Sequence, residues 1–202
     1  DVISGYMSYT YSAKSGYSLK AGTRYEYTII NAFTRTEADI EIPEYGVIVP
    51  SFNASKKLKK GTVKASYNRR IQRPSIQFLN PNIQNPNPLS ESVGNPSLDP
   101  EFTNNFEVGY STFIKGTSLN LTGFVRNSNN AIQSLRQIVR DSVIQTTYGN
   151  LGKENAYGAS IFTNISVGKL SFNVGGDIYF ADMLNPGSEL TPRVSNNGWV
   201  YS

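Results

Sequence analysis

Three features of the 202-residue chain predict an all-β fold, an antiparallel up-and-down sheet forming part of a transmembrane β-barrel wall. Segments of about ten residues alternate apolar and polar side chains, the length that a barrel stave needs. Short turns alternate with long connections along the chain. Tyrosine is abundant, at 13 residues, and brackets the best-defined alternating segment.

The alternation is clearest in YSLKAGTRYEYTI, residues 17–29. Tyr17, Leu19, Ala21, Thr23, Tyr25, Tyr27 and Ile29 take one face of a strand, and Ser18, Lys20, Gly22, Arg24, Glu26 and Thr28 the other. Successive strand residues point to opposite faces, whereas a helical period would scatter the charges among the apolar positions. Residues 62–71 oppose Val63, Ala65, Tyr67 and Ile71 to Lys64, Ser66, Asn68 and Arg70. Residues 104–114 set Phe106, Val108, Tyr110 and Ile114 against Asn105, Glu107 and Ser111. In 157–167 the apolar set is Tyr157, Ala159, Ile161, Ile165 and Val167; in 170–180 it is Leu170, Phe172, Val174, Ile178 and Phe180. Weaker versions at 3–11, 47–57, 118–126 and the C-terminal end bring the expected total to roughly nine strands.

Between the strands fall short turns at 12–16, 57–61, 115–117 and 168–169, and long outward loops at about 31–46, 72–101, 127–150 and 181–197. In an up-and-down sheet alternate connections share one end, so all the short turns gather at one rim and the long loops at the other. Outer-membrane barrels have this asymmetry, with short periplasmic turns and long extracellular loops. Tyr17 and Tyr27 lie ten residues apart on one face. At ~3.3 Å per residue and ~45° tilt they span roughly 23–25 Å, close to the height of an apolar band between aromatic girdles. A soluble β-sandwich also alternates, but does not require this loop asymmetry.

Composition excludes several other classes. The chain has neither cysteine nor histidine, which removes disulfides, thiol chemistry, the commonest zinc ligands and any Ser/His or Cys/His nucleophile pair. No enzyme, cofactor or metal is expected. The net charge of +4 is mild and its cations are dispersed, so nucleic acid is not an expected partner. With a mean hydropathy of −0.36, no run approaches the ~20 apolar residues of a transmembrane helix.

Residues 69–110 carry a spaced set of motifs: RRIQRPS at 69–75, LNP at 79–81, GNPSLDPE at 94–101 and FEVGY at 106–110. Together with LKAGTRYEYT at 19–28, this set resembles the TonB-dependent outer-membrane receptors of Bacteroidota. The resemblance is densest over residues 17–126. It implies a barrel of about 22 strands with a plug in its lumen. It also implies an outer-membrane location in a Gram-negative bacterium and import of a large nutrient, such as a glycan, peptide or chelated metal. The partners implied are outer-membrane lipid and lipopolysaccharide, TonB acting through the plug, and an accessory surface lipoprotein. A barrel serving secretion or structure is the alternative within the class, and a soluble β-rich binding domain is the alternative outside it. Neither plug nor signal peptide is recognised in residues 1–202, both ends read as interrupted strands, and an odd strand number does not fit a complete bacterial barrel. The chain is therefore expected to be a central-to-late section of wall.

Candidate site residues fall into three groups. Arg24, Glu26, Lys64, Asn68, Arg70, Asn105, Glu107, Asn120 and Asp177 are expected to face the lumen, where polar lining is required whether or not it binds anything. Arg73, Pro74, Asn80, Pro81, Gly94, Asn95, Pro96 and Glu101 are expected to hold the long loop in shape, with prolines that stiffen it and block strand pairing. Tyr17, Tyr27, Tyr67 and Tyr110 are expected at the membrane interfaces. Arg69 is expected at the outer rim near headgroup phosphates, on the face opposite Arg70. Glu37, Asp39 and Glu41 share the spacing of a calcium loop's first ligands, but Ile42 and Ile48 stand where its glycine and bidentate glutamate belong. Alternating with Ala38, Ile40 and Ile42, they read as the acidic face of a strand above the membrane, with Glu44 close by in sequence. Asn53, Asn120 and Asn164 open N-x-S/T triplets inside predicted strands and carry no glycosylation expectation.

Overall fold

A computed structural model of the chain describes residues 1–30, 42–140, 142–184 and 193–201. Nine long strands form one antiparallel sheet in the order β1 (Val2–Ser12), β2 (Tyr17–Thr28), β3 (Tyr45–Leu58), β4 (Gly61–Gln72), β7 (Glu101–Ile114), β8 (Thr117–Val139), β9 (Val143–Val167), β10 (Leu170–Leu184) and β11 (Arg193–Tyr201). Each stave pairs with its neighbours in sequence, which is the up-and-down topology predicted. Between β4 and β7 lie one helical turn, α1 (Ile76–Leu79), and two short strands, β5 (Gln84–Asn87) and β6 (Ser90–Ser92).

Register decides the two faces. One row of Cα partners reads Phe52, Tyr67, Phe106, Val125, Tyr157 and Phe180 across β3, β4, β7, β8, β9 and β10. The adjacent row, one residue along each strand, reads Ser51, Asn68, Asn105, Arg126, Ala156 and Ala181. The first is oily and largely aromatic; the second is mostly polar or small. Val108, Phe172 and Ile178 on the oily face are 61 %, 54 % and 66 % exposed. An apolar face left open on this scale needs a non-aqueous neighbour. Tyr67 packs on Phe106 with ring centres 4.8 Å apart, and Tyr157 on Phe180 at 5.2 Å.

The rim with short turns is built from tight reversals. Lys115 and Gly116 both take left-handed backbone, with φ of 49° and 83°. That is the geometry of a two-residue hairpin whose twist matches its strands. Gly16 closes another turn at φ 84°.

At the opposite rim the structure departs from the expected loop boundaries. The segment 127–150, expected as a long outward loop, is mostly paired strand. β8 and β9 run for 23 and 25 residues and stay paired up to Val139 and Val143. A stave crosses the hydrocarbon in about 9–11 residues, so roughly half of this hairpin stands in water. There neither face must be uniformly oily, and the alternation that marks the lower strands fades. A bulge interrupts the ladder around Ala131, beside Asn130 at φ 60°. The connection expected at 181–197 is likewise shorter, since β10 continues to Leu184 and β11 begins at Arg193. Residues 185–192 and 31–41 lie outside the described residues.

The core of the described chain sits above the wall. Ile42, Leu79 and Leu98 are buried together, with Ile30, Phe78, Ile132 and Tyr148 packed around them. These residues come from the ends of β2 and β3, the 72–101 segment and the β8–β9 hairpin. Phe78 stacks on Tyr148 at 4.3 Å, and β6 adds in parallel to β9 through Ser90–Ile144, Glu91–Gln145 and Ser92–Thr146. Chain of low hydrophobicity is thereby folded into a cap on the wall's outward rim.

Two substitutions probe this cap. Leu79, at 1 % exposure, anchors its centre, so Leu79→Ala should destabilise the cap by ~2–5 kcal/mol, seen as faster proteolysis within residues 72–101 while the staves stay protected. A Cβ at Gly94 would lie 2.4 Å from the Asn80 carbonyl oxygen and 2.7 Å from that of Phe78. Gly94→Ala should cost ~1–3 kcal/mol by displacing the backbone and give the same proteolytic pattern.

Candidate functional site: the polar face and the outward cap

The nine residues expected to face the lumen all occupy the polar face of the sheet, by the register of β2, β4, β7, β8 and β10. Asn68 and Asn105 are cross-strand partners, and each has a buried side-chain oxygen without a hydrogen-bond partner. The Asn105 amide donates to Glu107 Oε1 at 2.5 Å. Lys64 and Glu107, with Lys20, Asn53 and Ser66, line one polar hollow of about 400 Å³. Arg70 lies opposite Thr103. Asn120 and Asp177 stand apart from this group, Asn120 opposite Ser111 and Phe162, Asp177 opposite Ser160.

Glu26 on β2 is held by two arginines. Only 5 % exposed, it pairs with Arg24 Nε at 2.5 Å on one oxygen and with Arg73 on the other. Arg73 Nε also donates to Thr28 Oγ1 at 3.0 Å. The sequence places Glu26 on a stave and Arg73 in a loop, 47 residues away; the structure brings them together. A buried carboxylate with two guanidinium partners is satisfied on both oxygens, which its desolvation requires. Arg73 thus ties the start of the cap to β2.

The remaining loop-motif residues hold the cap by complementary polar contacts. Gly94 N and Asn95 N donate to the carbonyls of Asn80 and Phe78 at 2.8 and 2.6 Å. Asn95 accepts from Ser97 N at 3.0 Å and donates to the Tyr148 carbonyl at 3.0 Å; Asn80 Oδ1 accepts from Asn82 N at 3.0 Å. Glu101 Oε1 accepts from Ile132 N at 2.7 Å, beside the bulge. Pro74 is buried, while Pro81 and Pro96 are partly exposed. Residues the sequence did not single out complete the set. Glu91, 3 % exposed, pairs with Arg140 and accepts from Gln145 Nε2 at 2.7 Å. Asn150 donates to the carbonyls of Asp99 and Asn130 at 2.8 and 2.9 Å. Separations of 20 to 54 residues leave no local signal for these pairs.

The four selected tyrosines divide between the rims, each with a partner for its hydroxyl. Tyr17 accepts from Lys56, whose ammonium sits 4.3 Å from the Tyr17 ring, and Tyr110 donates to the Lys60 carbonyl at 3.3 Å, both at the short-turn end. Toward the cap, Tyr27 donates to Glu44 at 2.6 Å and Tyr67 to Asn104 Oδ1 at 3.0 Å. Arg69 and Arg70 point to opposite faces, since they are consecutive in one strand and opposite Asn104 and Thr103. Of the acidic group at 37–44, Glu37, Asp39 and Glu41 lie outside the described residues. Among the described residues no cluster of His, Cys, Asp or Glu forms a metal site, and no helix is long and apolar enough to cross a membrane.

Comparison with known proteins decides the class. Residues 1–202 match the outer membrane protein beta-barrel family along their full length. The chain belongs to this family. Its place is the outer membrane, and the soluble β-domain alternative falls with that finding. No curated protein matches the sequence. Among solved structures, the family's barrel wall seen here superposes on the siderophore receptor PirA from Pseudomonas aeruginosa with a TM-score of 0.69 and 20 % identity, covering 100 % of this chain and 40 % of that one. The hemophore receptor HasR of Serratia marcescens gives 0.68 at 16 % identity over 99 % of this chain and 38 % of HasR. A ferric enterobactin receptor from Pseudomonas aeruginosa gives 0.66 at 17 % identity, with coverages of 91 % and 30 %. At these identities the likeness is one of fold, that of an outer-membrane receptor barrel. The chain spans two fifths or less of each receptor's length.

Removing the Glu26 charge should separate the cap from the wall. Glu26→Gln leaves Arg73 facing a neutral amide in a buried setting, at a cost of ~3–5 kcal/mol. The intact barrel should then show earlier cleavage after Phe78 by chymotrypsin, while Arg24→Gln, at a half-exposed position, should have a smaller effect.

Proposed function

We propose that the chain is part of the wall of a TonB-dependent outer-membrane receptor that imports a nutrient too large for passive pores. The observation that carries this reading is the ordered cap on one rim of a wall whose inner face is polar. A passive pore needs only a polar lumen. Here the outward segments are fixed by a small apolar core and by two buried carboxylates, Glu26 and Glu91, each bound to arginine. Rigid outward surface of this kind serves recognition, because its groups are pre-positioned and little ordering entropy is lost on binding. Family membership and the receptor fold support the same reading.

In this proposal Lys64, Asn68, Arg70, Asn105, Glu107, Asn120 and Asp177, with Arg24 and Glu26 higher on the wall, line the passage or meet the plug. Arg73, Pro74, Asn80, Pro81, Gly94, Asn95, Pro96 and Glu101 keep the cap in shape, and Tyr17, Tyr27, Tyr67 and Tyr110 mark the two membrane interfaces. TonB acts through the plug, and a surface lipoprotein is a candidate partner for the cap. The nutrient is a glycan, a peptide or a metal chelate, and the protein performs no chemistry on it.

The test is growth of a strain lacking the receptor gene on panels of glycans, peptides and ferric chelates as sole sources of carbon, nitrogen and iron. Loss of growth on one class, reproduced by deleting the TonB system and restored by the intact gene, is the expected result. Undiminished growth on every class, with a surface or secreted protein missing instead, would replace import by the secretion reading.

A further inference from the structure

We propose that the open edge of β8 above the membrane, over residues 132–139, is a docking site to which an extended peptide adds as one further strand. The edge itself stands on the pairing pattern below, whereas naming the peptide as the nutrient rests on the import reading.

The β8–β9 hairpin outlasts its neighbours. β7 pairs with β8 only as far as Phe102 and Asn129, while β8 and β9 continue together to Val139 and Val143. Each upper strand therefore has an outer edge that the wall does not cover. On β9 the cap takes that edge. Ile144 N donates to the Leu89 carbonyl at 2.9 Å, and Val93 N to the Thr146 carbonyl at 2.9 Å. Asn95 Nδ2 reaches the Tyr148 carbonyl at 3.0 Å, and β6 lies parallel to residues 144–146.

These contacts fix where β8 points its own backbone. Ile144, Thr146 and Tyr148 turn their polar groups away from β8, so each forms a non-hydrogen-bonded pair with its partner there, Ile138, Arg136 and Ser134 respectively. The N–H and C=O groups of Ser134, Arg136 and Ile138 accordingly face the opposite edge. Ile132 has the same parity, and its N–H is taken by Glu101 Oε1 at 2.7 Å. Beyond it the edge is open. Among the described residues no strand pairs with it, and Ser134, Arg136 and Ile138 are all exposed.

A row of alternating backbone donors and acceptors is matched by another extended backbone, and by neither a sugar nor a metal chelate. The hairpin is held extended by the cap on its other edge, so it loses little freedom when a strand adds. Side chains give the incoming strand a preference. Ile138, 74 % exposed, adjoins Ile144, 48 % exposed, across the hairpin, and Arg136 has no salt bridge among the described residues. Arg136 and Ile138 share one face by strand alternation. A peptide with an apolar residue opposite Ile138 and a carboxylate two positions on, opposite Arg136, complements both.

The test uses the full-length receptor, purified in detergent, with heat-modifiable mobility showing that each variant is folded. The probe is a capped heptapeptide of threonine with valine at its third position and glutamate at its fifth. It should bind and slow hydrogen exchange at the amides of Ser134, Arg136 and Ile138, which exchange freely before it is added. N-methylation of its valine and glutamate should weaken binding by roughly tenfold, and methylation of the threonine between them should not. Ser134→Pro removes an outward N–H and sets a ring on the edge while sparing the bonds to β9, and should also cost about tenfold. Arg136→Gln should cost about threefold for this peptide and nothing for its glutamine counterpart. Failure of the wild type to bind, or equal binding of the valine- and glutamate-methylated peptide, would overturn the proposal. So would undiminished binding by folded S134P. Slow exchange at the three amides before peptide is added would do the same, as the mark of an edge already covered by the receptor's own chain or a second copy. Binding is measured on purified receptor and import by growth of the deletion strain on peptides, so the edge site and the import reading fail separately.

Discussion

Hydrocarbon offers no hydrogen bonds, so a backbone that crosses it must satisfy every amide and carbonyl internally. For this chain the solution is the antiparallel ladder from β1 to β11, and the rest of the wall follows from it. Ladder pairing fixes a two-residue side-chain period, so one face can be given to lipid and the other to water. Register then carries the alternation from strand to strand, aligning Phe52, Tyr67, Phe106, Val125, Tyr157 and Phe180 in one oily row. The same constraint explains why the staves have no interior core. Their apolar side chains point out of the sheet, and the buried apolar cluster lies in the cap.

Above the membrane the rules change. Water can satisfy backbone groups there, so strand pairing is no longer obligatory and loops must find other reasons to be ordered. They do so by burying Leu79 and Leu98 against Ile42 and by using carboxylates as bridges between distant segments. Glu26 binds the wall to the cap through Arg73, and Glu91 binds β6 to the β8–β9 hairpin through Arg140 and Gln145. Buried ion pairs contribute little net stability, because desolvation offsets attraction, but they penalise any arrangement that leaves one partner alone. In a cap with so small an apolar core, that selectivity fixes how segments from four parts of the chain meet.

The readable and unreadable parts of the sequence divide at the same boundary. The staves from Tyr17 to Thr28 and from Gly61 to Gln72 were legible because lipid on one side and a polar lumen on the other enforce alternation at every residue. Residues 127–150 were misread as a loop because both sides of that hairpin meet water or cap, and pairs such as Gln137 with Gln145 leave no oily period. The motif at residues 94–101 was legible as structure-forming, but its reasons were not. Gly94 is required by the approach of the Asn80 and Phe78 carbonyls, and Asn95 by a backbone partner 53 residues away at Tyr148.

By itself the sequence determined the fold class, the number of staves, the assignment of residues to the oily and polar faces, and the rim at which the short turns gather. These follow from local rules: a period of two, turn residues, and the length of chain that crosses a membrane. Only the tertiary structure decided that Arg73 closes on Glu26, that the outward segments share a core, and that Gly123 and Ala159 adjoin across β8 and β9. Such contacts join positions tens of residues apart, and they are set by strand register and packing, which no local pattern encodes.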